Sequence, residues 1–421
     1  MEKIKGNVPK IRFPGFESPW EQRKVGEWGS FYYGHSCPKW SVTDDASTPC
    51  IRYGELYTKF GTKIDKVFSY TNMPTDKLRF SKGTEVLIPR VGEDPKDYNH
   101  CTWLSMSGVA IGEMISVFNT EQNPLFTATM FNATLQKEFA SRVEGGSVTN
   151  LYYEKLKNID VLYPSLEEQE KVASFFEQID NLITIHQRKL EHLQDNKKGL
   201  LQKIFPKEGE KLPEIRFPGF TDPWEQRKLN EIADVLDGDR GNNYPNSNEF
   251  QEKGHTMFLS ASNVTMNGFM FDDIKYITEE KSNSMGNGKL LLDDIVLTSR
   301  GSIGHIAWYD KNIQQQVPFA RINSGMLILR SKDFAMPCFV SQFLKSPLGK
   351  KQIDLISFGS AQPQLTKKDV SNYVVSIPSD RSEQKKLGVF FDNLDNLITL
   401  HKRKLNHLQQ QKKGLLQQMF I

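Results

Sequence analysis

The sequence predicts an α/β (α+β) fold with two similar mixed α/β domains, separated by a pair of long antiparallel coiled-coil helices in a pseudo-twofold internal repeat. Three observations predict it: the chain of 421 residues has room for two cores, and both a short motif and a long helical segment occur twice. A core of about 150 residues is ordinary for one domain. We therefore divide the chain into a lead-in and first domain (1–164), a central helix (165–206), a second lead-in and domain (207–378) and a C-terminal helix (379–421).

The repeats define a constant frame. PKIRFPGFESPWEQRK at 9–24 returns as PEIRFPGFTDPWEQRK at 213–228, and the 39 residues from 167 to 205 return at 382–420. Repeats of this kind are examined first because they determine the whole fold. The order is lead-in, variable block, helix, and then the same order again.

The two variable blocks share only a faint skeleton. TEVLIPRVG at 84–92 stands where DIVLTSRGSIG stands at 294–304. Similarly, GGSVTNLYYEKLKNIDVLYP at 145–164 corresponds to GSAQPQLTKKDVSNYVVSIP at 359–378. Alternating apolar runs such as VVSIP predict strands beside helical segments. We interpret the blocks as one fold with two different surfaces, suited to one kind of recognition performed on two targets.

Each long repeat carries a heptad seam, because its apolar residues step by four and three. The seam positions that we expect to pair the helices are Val172, Phe176, Ile179, Ile183, His186, Leu190 and Leu193 in the first copy, and Leu387, Phe391, Leu394, Ile398, His401, Leu405 and Leu408 in the second. Both seams continue through a lysine, Lys197 and Lys412. We expect the two helices to pack on each other.

An antiparallel pair is the simplest assembly, since each helix leaves a similar domain. About 33 residues at roughly 1.5 Å each make a rod of about 50 Å. If the two domains bind DNA, a rod of this length would hold them about one helical turn apart, since half-sites on one face of a duplex repeat at about 34 to 36 Å. The polar seam residues His186 and His401 are interpreted as fixing the helix register. Gly199 and Gly414 indicate either a close backbone approach or a frayed helix end.

Composition excludes several classes of protein. No stretch approaches the roughly 20 apolar residues of a membrane span, and MEKIKGNVPKIRF lacks a secretory core, so we expect a cytoplasmic protein. The net charge of +3 is too small to argue for nucleic acid. The four cysteines have no CxxC or zinc spacing, and we expect reduced thiols and no metal site.

The chain also lacks recognisable catalytic motifs. NPLF at 123–126 misses the second proline of an amino-methyltransferase loop, and GNGKL at 286–290 is not a P-loop. EDPKD at 93–97 is better interpreted as a polar turn than as a nuclease cluster. We therefore expect no catalytic residue and no bound cofactor in this chain.

The chain resembles the specificity (S) subunit of type I restriction-modification systems. The resemblance is carried by the repeated EEQ and SEQ helix openings, the DNLIT cores, the KKGLLQ ends and the lead-in RFPGF(E/T)(S/D)PWEQRK. The resemblance covers essentially the whole chain. It implies that each variable block is a target recognition domain reading one half of a split, asymmetric double-stranded DNA site, with the helices setting the spacer. It also implies docking of two methyltransferase (M) subunits, with restriction (R) subunits in the full complex. S-adenosylmethionine, ATP and magnesium are then expected in those partner subunits.

Candidate DNA contacts follow from side-chain chemistry and from the resemblance. Arg90 and Arg300 suit bidentate contact with guanine or phosphate, and Gln362 and Gln364 suit adenine edges. Arg300 and Ser302 belong to TSRGSIG, which is similar to a glycine-rich hairpin of these domains, whereas the first block keeps Arg90 but loses both glutamines. Arg300 could equally brace the hairpin, and the glutamines could cap a turn. Polar, turn-rich stretches add Lys39, Arg52, Lys59, Arg79, His100, Arg240, Asn242, Asn243, His305 and Arg321.

Two alternatives remain at this point. The helices of a non-catalytic scaffold or antitoxin-like module could bind other proteins while the variable blocks only provide solvated surface. A fused enzyme of an unrecognised type is the third possibility, and methyl transfer by the purified chain alone would support it.

Overall fold

The structure is a computed structural model that describes residues 7–242, 244–357 and 364–420, with 356 and 357 described by their backbone only. Its contacts divide the chain into two compact units, Met1–Gln187 with Lys404–Ile421, and Arg188–Arg403. Each unit therefore contains one domain and a segment of each long helix. The predicted mixed α/β architecture with two long helices is confirmed.

The first domain is built from many short strands and four short helices. Its strands are β1 (Glu21–Lys24), β2 (Gly29–Tyr33), β3 (Thr48–Ile51), β4 (Lys63–Ile64), β5 (Ser69–Thr71), β6 (Phe80–Lys82), β7 (Glu85–Pro89), β8 (Val91–Gly92), β9 (Thr102–Leu104), β10 (Ser107–Ile111), β11 (Ile115–Thr120), β12 (Glu144–Gly145), β13 (Thr149–Asn150) and β14 (Asp160–Tyr163). Its helices are α1 (Tyr53–Thr58), α2 (Pro124–Thr134), α3 (Gln136–Ala140) and α4 (Tyr153–Leu156). The long helix α5 (Leu166–Ile204) follows.

The second domain repeats this plan with different details. Its strands are β15 (Glu225–Lys228), β16 (Ala233–Asp237), β17 (Thr256–Leu259), β18 (Val264–Thr265), β19 (Gly268–Phe269), β20 (Tyr276–Ile277), β21 (Ile295–Thr298), β22 (Ile306–Trp308), β23 (Ala320–Ile322), β24 (Met326–Ser331) and β25 (Val374–Ile377). Its helices are α6 (Leu229–Ile232), α7 (Glu279–Ser284), α8 (Lys311–Gln316), α9 (Pro337–Lys345), α10 (Pro347–Ser357) and α11 (Lys367–Ser371). The long helix α12 (Arg381–Met419) closes the described chain.

The sheets explain the faint skeleton shared by the variable blocks. In the first domain β11 lies between β2 and β7, and in the second β24 lies between β16 and β21, all antiparallel. The apolar runs VLIP and IVLT form β7 and β21, which are buried along most or all of their length. A continuous apolar run suits such a strand because both of its faces meet the core. The two blocks thus share a common sheet core.

Both lead-ins dock on the frame through the same contacts. Strand β1 pairs antiparallel with β14, and β15 with β25, so the chain enters and leaves each domain side by side. Arg12 then binds Glu168 in a bidentate ion pair at 2.7 Å, and Arg216 binds Glu383 in the same way. Fork-to-fork pairing of this kind fixes both position and orientation. The lead-in repeats because its binding site on the helix repeats.

Within each unit the two helix segments run antiparallel. In the first unit the ring centroids of Phe176 and Phe420 lie 5.8 Å apart, and Lys412 Nζ lies 2.5 Å from Asp180 Oδ1. Residue numbers therefore increase along α5 in the direction in which they decrease along α12, as expected for antiparallel helices. In the second unit Phe205 and Phe391 stack at 5.9 Å.

The same ion pair recurs there, because Lys197 Nζ lies 2.5 Å from Asp395 Oδ1. The predicted seam positions Val172, Phe176, Leu193, Leu387, Phe391, Ile398 and Leu405 are buried, and Ile179, Ile183, His186, Leu190, Leu394, His401 and Leu408 are half-buried. The seam lysines are thus neutralised by aspartates that the heptad pattern does not single out. Both aspartates belong to the repeated DNLIT segments.

The glycines inside the long helices differ in their surroundings. A Cβ atom added at Gly199 or Gly414 would have no neighbour within 4 Å, so neither marks a close backbone approach. A Cβ at Gly388 would lie 2.5 Å from the Cys338 sulfur and 2.7 Å from its carbonyl carbon. Only at Gly388 does the helix pass another segment too closely for a side chain.

Candidate nucleic-acid interface

In the first domain two predicted arginines meet around one tyrosine. Arg79 Nη1 donates to the Tyr33 carbonyl at 2.7 Å, and the Arg90 guanidinium lies 4.9 Å from the Tyr33 ring centroid. The Tyr33 hydroxyl donates to Glu154 at 2.7 Å, and burial together with this bond raises the pKa of Tyr33. The neutral ring is therefore held as a platform beneath a guanidinium, an arrangement that stacks well on bases.

Two other first-domain candidates gather around a buried carboxylate. Glu55 accepts hydrogen bonds from the backbone amide of Arg52 at 3.0 Å, from Lys59 Nζ at 3.1 Å and from Ser69 Oγ at 2.7 Å. The positive charge of Lys59 is thus partly neutralised by Glu55. The Glu55 carboxylate thus contacts Arg52 at the start of α1 and Lys59 at its end.

The remaining first-domain candidates lie elsewhere on the surface. The exposed ring of His100 packs 5.2 Å from that of Tyr57. Lys39 is exposed, and its neighbour Trp40 is 73% exposed, although the sequence analysis did not select Trp40. Tyr33 was missed as well, and the available signal in both cases is an aromatic residue in a polar, turn-rich stretch.

In the second domain Arg240 and Arg300 converge on the turn before β24. Arg240 Nη2 donates to the Ser324 carbonyl at 3.3 Å, and the Arg300 amide donates to the Gly325 carbonyl at 3.2 Å. The Leu365 amide binds the Ser299 carbonyl at 3.0 Å, which brings Gln364 next to this turn. The backbone of Arg300, whose side chain is exposed, therefore lies beside polar residues of three other chain segments.

The glycine-rich loop that carries Arg300 is tightly constrained. Gly301 and Gly304 have φ of 73° and 83°, which glycine tolerates and most residues do not. The Thr298 hydroxyl donates to the Ser302 carbonyl and accepts from the His305 amide at 2.9 Å. Such a loop presents its side chains from a fixed backbone.

The imidazole of His305 is engaged within the domain, since its Nδ1 lies 2.9 Å from the Val264 carbonyl. Asn242 is exposed. Two further candidates, Asn243 and Gln362, lie outside the described residues.

The assignment of Arg321 to an exposed polar loop is wrong. Arg321 lies in β23, is 2% exposed, and donates to the carbonyls of Ser282 at 3.0 Å, Gly286 at 2.5 Å and Asn287 at 3.0 Å. Burial lowers its pKa, and the three carbonyls accept hydrogen bonds from its two terminal nitrogens, whereas its Nε has no hydrogen-bond partner among the described residues. The side chain braces the α7–β21 connection from inside the domain and is not available to a partner.

Other kinds of site are not evident in the described ranges. There, no three His, Cys, Asp or Glu side chains come together as a metal site requires. All four cysteines are buried free thiols. None of the helices in the described parts of the chain combines the length and apolar character that a bilayer crossing needs.

Two unlike polar surfaces on one repeated frame define a protein with two separate recognition domains. The chain belongs to the family of type I restriction-modification DNA specificity domains, because the model of that family matches residues 110–195 and 221–410. This match confirms the resemblance found in the repeats. The polar clusters around Tyr33 and Arg300 thus belong to a specificity subunit.

Individual relatives agree with this assignment. The type I restriction enzyme MjaVIII specificity subunit of Methanocaldococcus jannaschii is 25% identical over 294 residues, which cover 68% of this chain and 67% of the relative. A putative type I restriction enzyme MjaX specificity subunit of the same organism is 24% identical over 275 residues, covering 62% of this chain and 58% of the relative.

One solved structure matches the whole fold. The crystal structure of the type I restriction-modification system S subunit from M. genitalium aligns with a TM-score of 0.68 at 16% identity, covering 98% of this chain and 99% of that one. At this identity the likeness concerns the fold alone. It confirms two mixed α/β domains and two long helices.

Proposed function

We propose that the two domains read the two halves of a bipartite, asymmetric DNA site, and that the helices set the spacer between them. The observation that carries the proposal is one repeated frame holding two different polar surfaces, each of which includes predicted arginines. Phosphate contacts fix the protein on DNA, and base-edge contacts give sequence specificity. Catalysis would then belong to other chains, which would hold S-adenosylmethionine, ATP and magnesium.

The test replaces one predicted arginine by alanine in each domain separately. Arg300→Ala should relax recognition in one half of the methylated motif only, and Arg90→Ala in the other half only. One bidentate arginine contact discriminates bases by about 1 to 3 kcal/mol, or roughly 5- to 150-fold. The measurement is methylome sequencing of DNA modified by the assembled complex.

Arg142→Ala is the matched control, because Arg142 pairs with Glu138 four residues away in the first domain. It should leave both halves of the motif unchanged. Identical motifs for wild type and both arginine variants would remove these two residues from the reading surface. Loss of both halves in either variant would show that the domains do not read separately.

The long helices also carry two equivalent pairs of exposed apolar residues. Leu182 and Ile185 are 46% and 61% exposed, and the equivalent Leu397 and Leu400 are 44% and 59% exposed. Each pair is spaced three residues apart and therefore lies on one helix face. Two equal apolar pairs suit two copies of one partner, and we assign them to two methyltransferase subunits, with restriction subunits joining the full complex.

Replacing one apolar pair by glutamates tests this assignment. Leu182→Glu with Ile185→Glu should reduce the number of bound methyltransferase subunits from two to one, as counted by native mass spectrometry, and Leu397→Glu with Leu400→Glu should do the same. Retention of two subunits by both variants would exclude these surfaces. If no methyltransferase binds the wild-type chain, the alternative of an unrelated protein scaffold is favoured.

A further inference from the structure

A deep cleft opens in the second unit beside the glycine-rich loop. It has a volume of about 610 Å³ and lies between the last turns of α5 and the second domain. Its floor is apolar, because Leu201, Ile306, Ile353 and Ile398 are all at most 8% exposed. The cleft therefore has an apolar floor beneath its polar walls.

The walls of this cleft carry an excess of positive charge. Lys197 and Lys198 of α5 face Lys345 and Lys350 of α9 and α10, whereas only two carboxylates, of Asp354 and Asp395, line it. Four lysines and two aspartates leave a formal charge of +2. A crowd of like charges in one concave site attracts anions.

Most of the negative charge of Asp395 is already matched. Asp395 Oδ1 binds Lys197 at 2.5 Å, and Oδ2 accepts from Gln342 at 2.9 Å and lies 3.4 Å from Lys345. Burial and repulsion from Lys345 and Lys350 lower the pKa of Lys197, which Asp395 opposes. The Asp395 carboxylate thus partly neutralises two half-buried lysines, Lys197 and Lys345.

The other two lysines stand at the mouth of the cleft. Lys198 and Lys350 are exposed, and among the described residues neither has an ion-pair partner. Residues 303–306 form part of the same wall, directly after the loop that presents Arg300. The cleft is therefore continuous with the second domain's proposed reading surface.

We propose that this cleft receives the phosphate backbone of the bound DNA duplex, through Lys198 and Lys350 at its mouth. The inference rests on the proposed function and extends the DNA contact from the second domain onto the long helix. These contacts add affinity without reading sequence, because they touch phosphate only. Lys197 and Lys345 lie deeper in the cleft, where they add positive electrostatic potential without contacting the phosphates directly.

The first unit offers an internal comparison. Its equivalent helix lysines are Lys412 and Lys413, and Lys412 pairs with Asp180 at 2.5 Å. The domain residue reaching that aspartate is Thr62, at 3.4 Å, where the second unit supplies a lysine and a glutamine. Lys413 is exposed at the position of α12 that corresponds to Lys198 in α5, and it serves as the control.

The experiment measures the salt dependence of DNA binding by the full chain assembled with its methyltransferase subunits. The probe is a duplex that carries the methylated motif, and a scrambled duplex is compared with it. Each phosphate contact contributes about −0.9 to the slope of log K against log salt. Lys198→Ala with Lys350→Ala should reduce the slope by about 1.8 and lower the affinity for both duplexes by the same factor.

Lys413→Ala should leave the slope unchanged. An unchanged slope in the double variant, while the wild type still binds its motif, overturns the inference and leaves the proposed function standing. An equal loss in Lys413→Ala overturns the assignment to the cleft. A small-anion site is indicated instead if inorganic tripolyphosphate raises the melting temperature of the wild type alone and the DNA slope does not change. Absence of motif-specific binding by the wild type overturns both proposals.

Discussion

Replacing Gly388 by alanine should destabilise helix α12, although the same change normally strengthens a helix. Alanine is favoured over glycine in a helix interior by about 1 kcal/mol. Here the new methyl group would lie 2.5 Å from the Cys338 sulfur and 2.7 Å from its carbonyl carbon, and the second contact involves backbone that cannot rotate away. Overpacking costs about 1 to 3 kcal/mol. Taking the upper value and subtracting the helix gain, we expect a net loss of about 2 kcal/mol.

The matched controls are Gly199→Ala and Gly414→Ala. Both positions have open space around the added methyl group, so each variant should gain about 1 kcal/mol. Ala173, which is the counterpart of Gly388 in α5, is buried without needing to be glycine. The three substitutions are chemically identical, and only the surroundings differ.

Hydrogen exchange followed by mass spectrometry is the appropriate assay, because a chain with two units need not unfold in one step. A loss of 2 kcal/mol corresponds to roughly thirtyfold faster exchange of amides near Gly388. Cys338→Ala should rescue Gly388→Ala only in part, since it removes the sulfur and leaves the backbone contact. Slower exchange in Gly388→Ala, matching the two controls, would refute the packing argument.

Two further outcomes follow from buried groups. Glu383→Gln should cost about 1.5 to 3 kcal/mol, because the half-buried Arg216 guanidinium loses its charged partner. Glu168→Gln should cost the same in the first unit, where the partner Arg12 is also half-buried. Hydrogen exchange measured across a urea titration would contradict this if either loss stayed below about 1 kcal/mol. Burial raises the pKa of the Cys338 thiol to about 11, above its value of 9.0 in the unfolded chain. Its contribution to stability is therefore fully present below pH 9.0 and is lost as pH rises through about 11. Cys338→Ala should therefore reduce the loss of unfolding free energy at alkaline pH. An unchanged loss would show that the Cys338 thiol is not its cause.

The fold could largely be predicted from the sequence because its strongest signals are periodic. The heptad steps from Val172 to Leu193 depend on helix geometry alone. The repeat of 39 residues predicts that the same structure occurs twice. The division into four segments stays a prediction, since the contact units divide each helix between them. The shared sheet core could be inferred only from the short alignment of β7 with β21.

The candidate interface was harder to predict because exposure depends on distant segments. Arg321 is closely followed by the polar, turn-rich residues 323–325, yet it lies inside the domain, where three carbonyls from residues 282–287 accept its hydrogen bonds. Arg79 and Arg90 both meet Tyr33, which is dozens of residues away from either of them along the chain. Side-chain chemistry selects candidates for DNA contact, but only tertiary packing decides which of them face outward.

The pairing of β1 with β14, and of β15 with β25, has an evolutionary consequence. Since the first and last strands of a domain are neighbours, everything between them forms a closed insert whose two ends meet the frame at one place. Recombination within the duplicated segments on either side could exchange one insert for another without disturbing the frame. A lineage could thereby acquire a new half-specificity in a single genetic event.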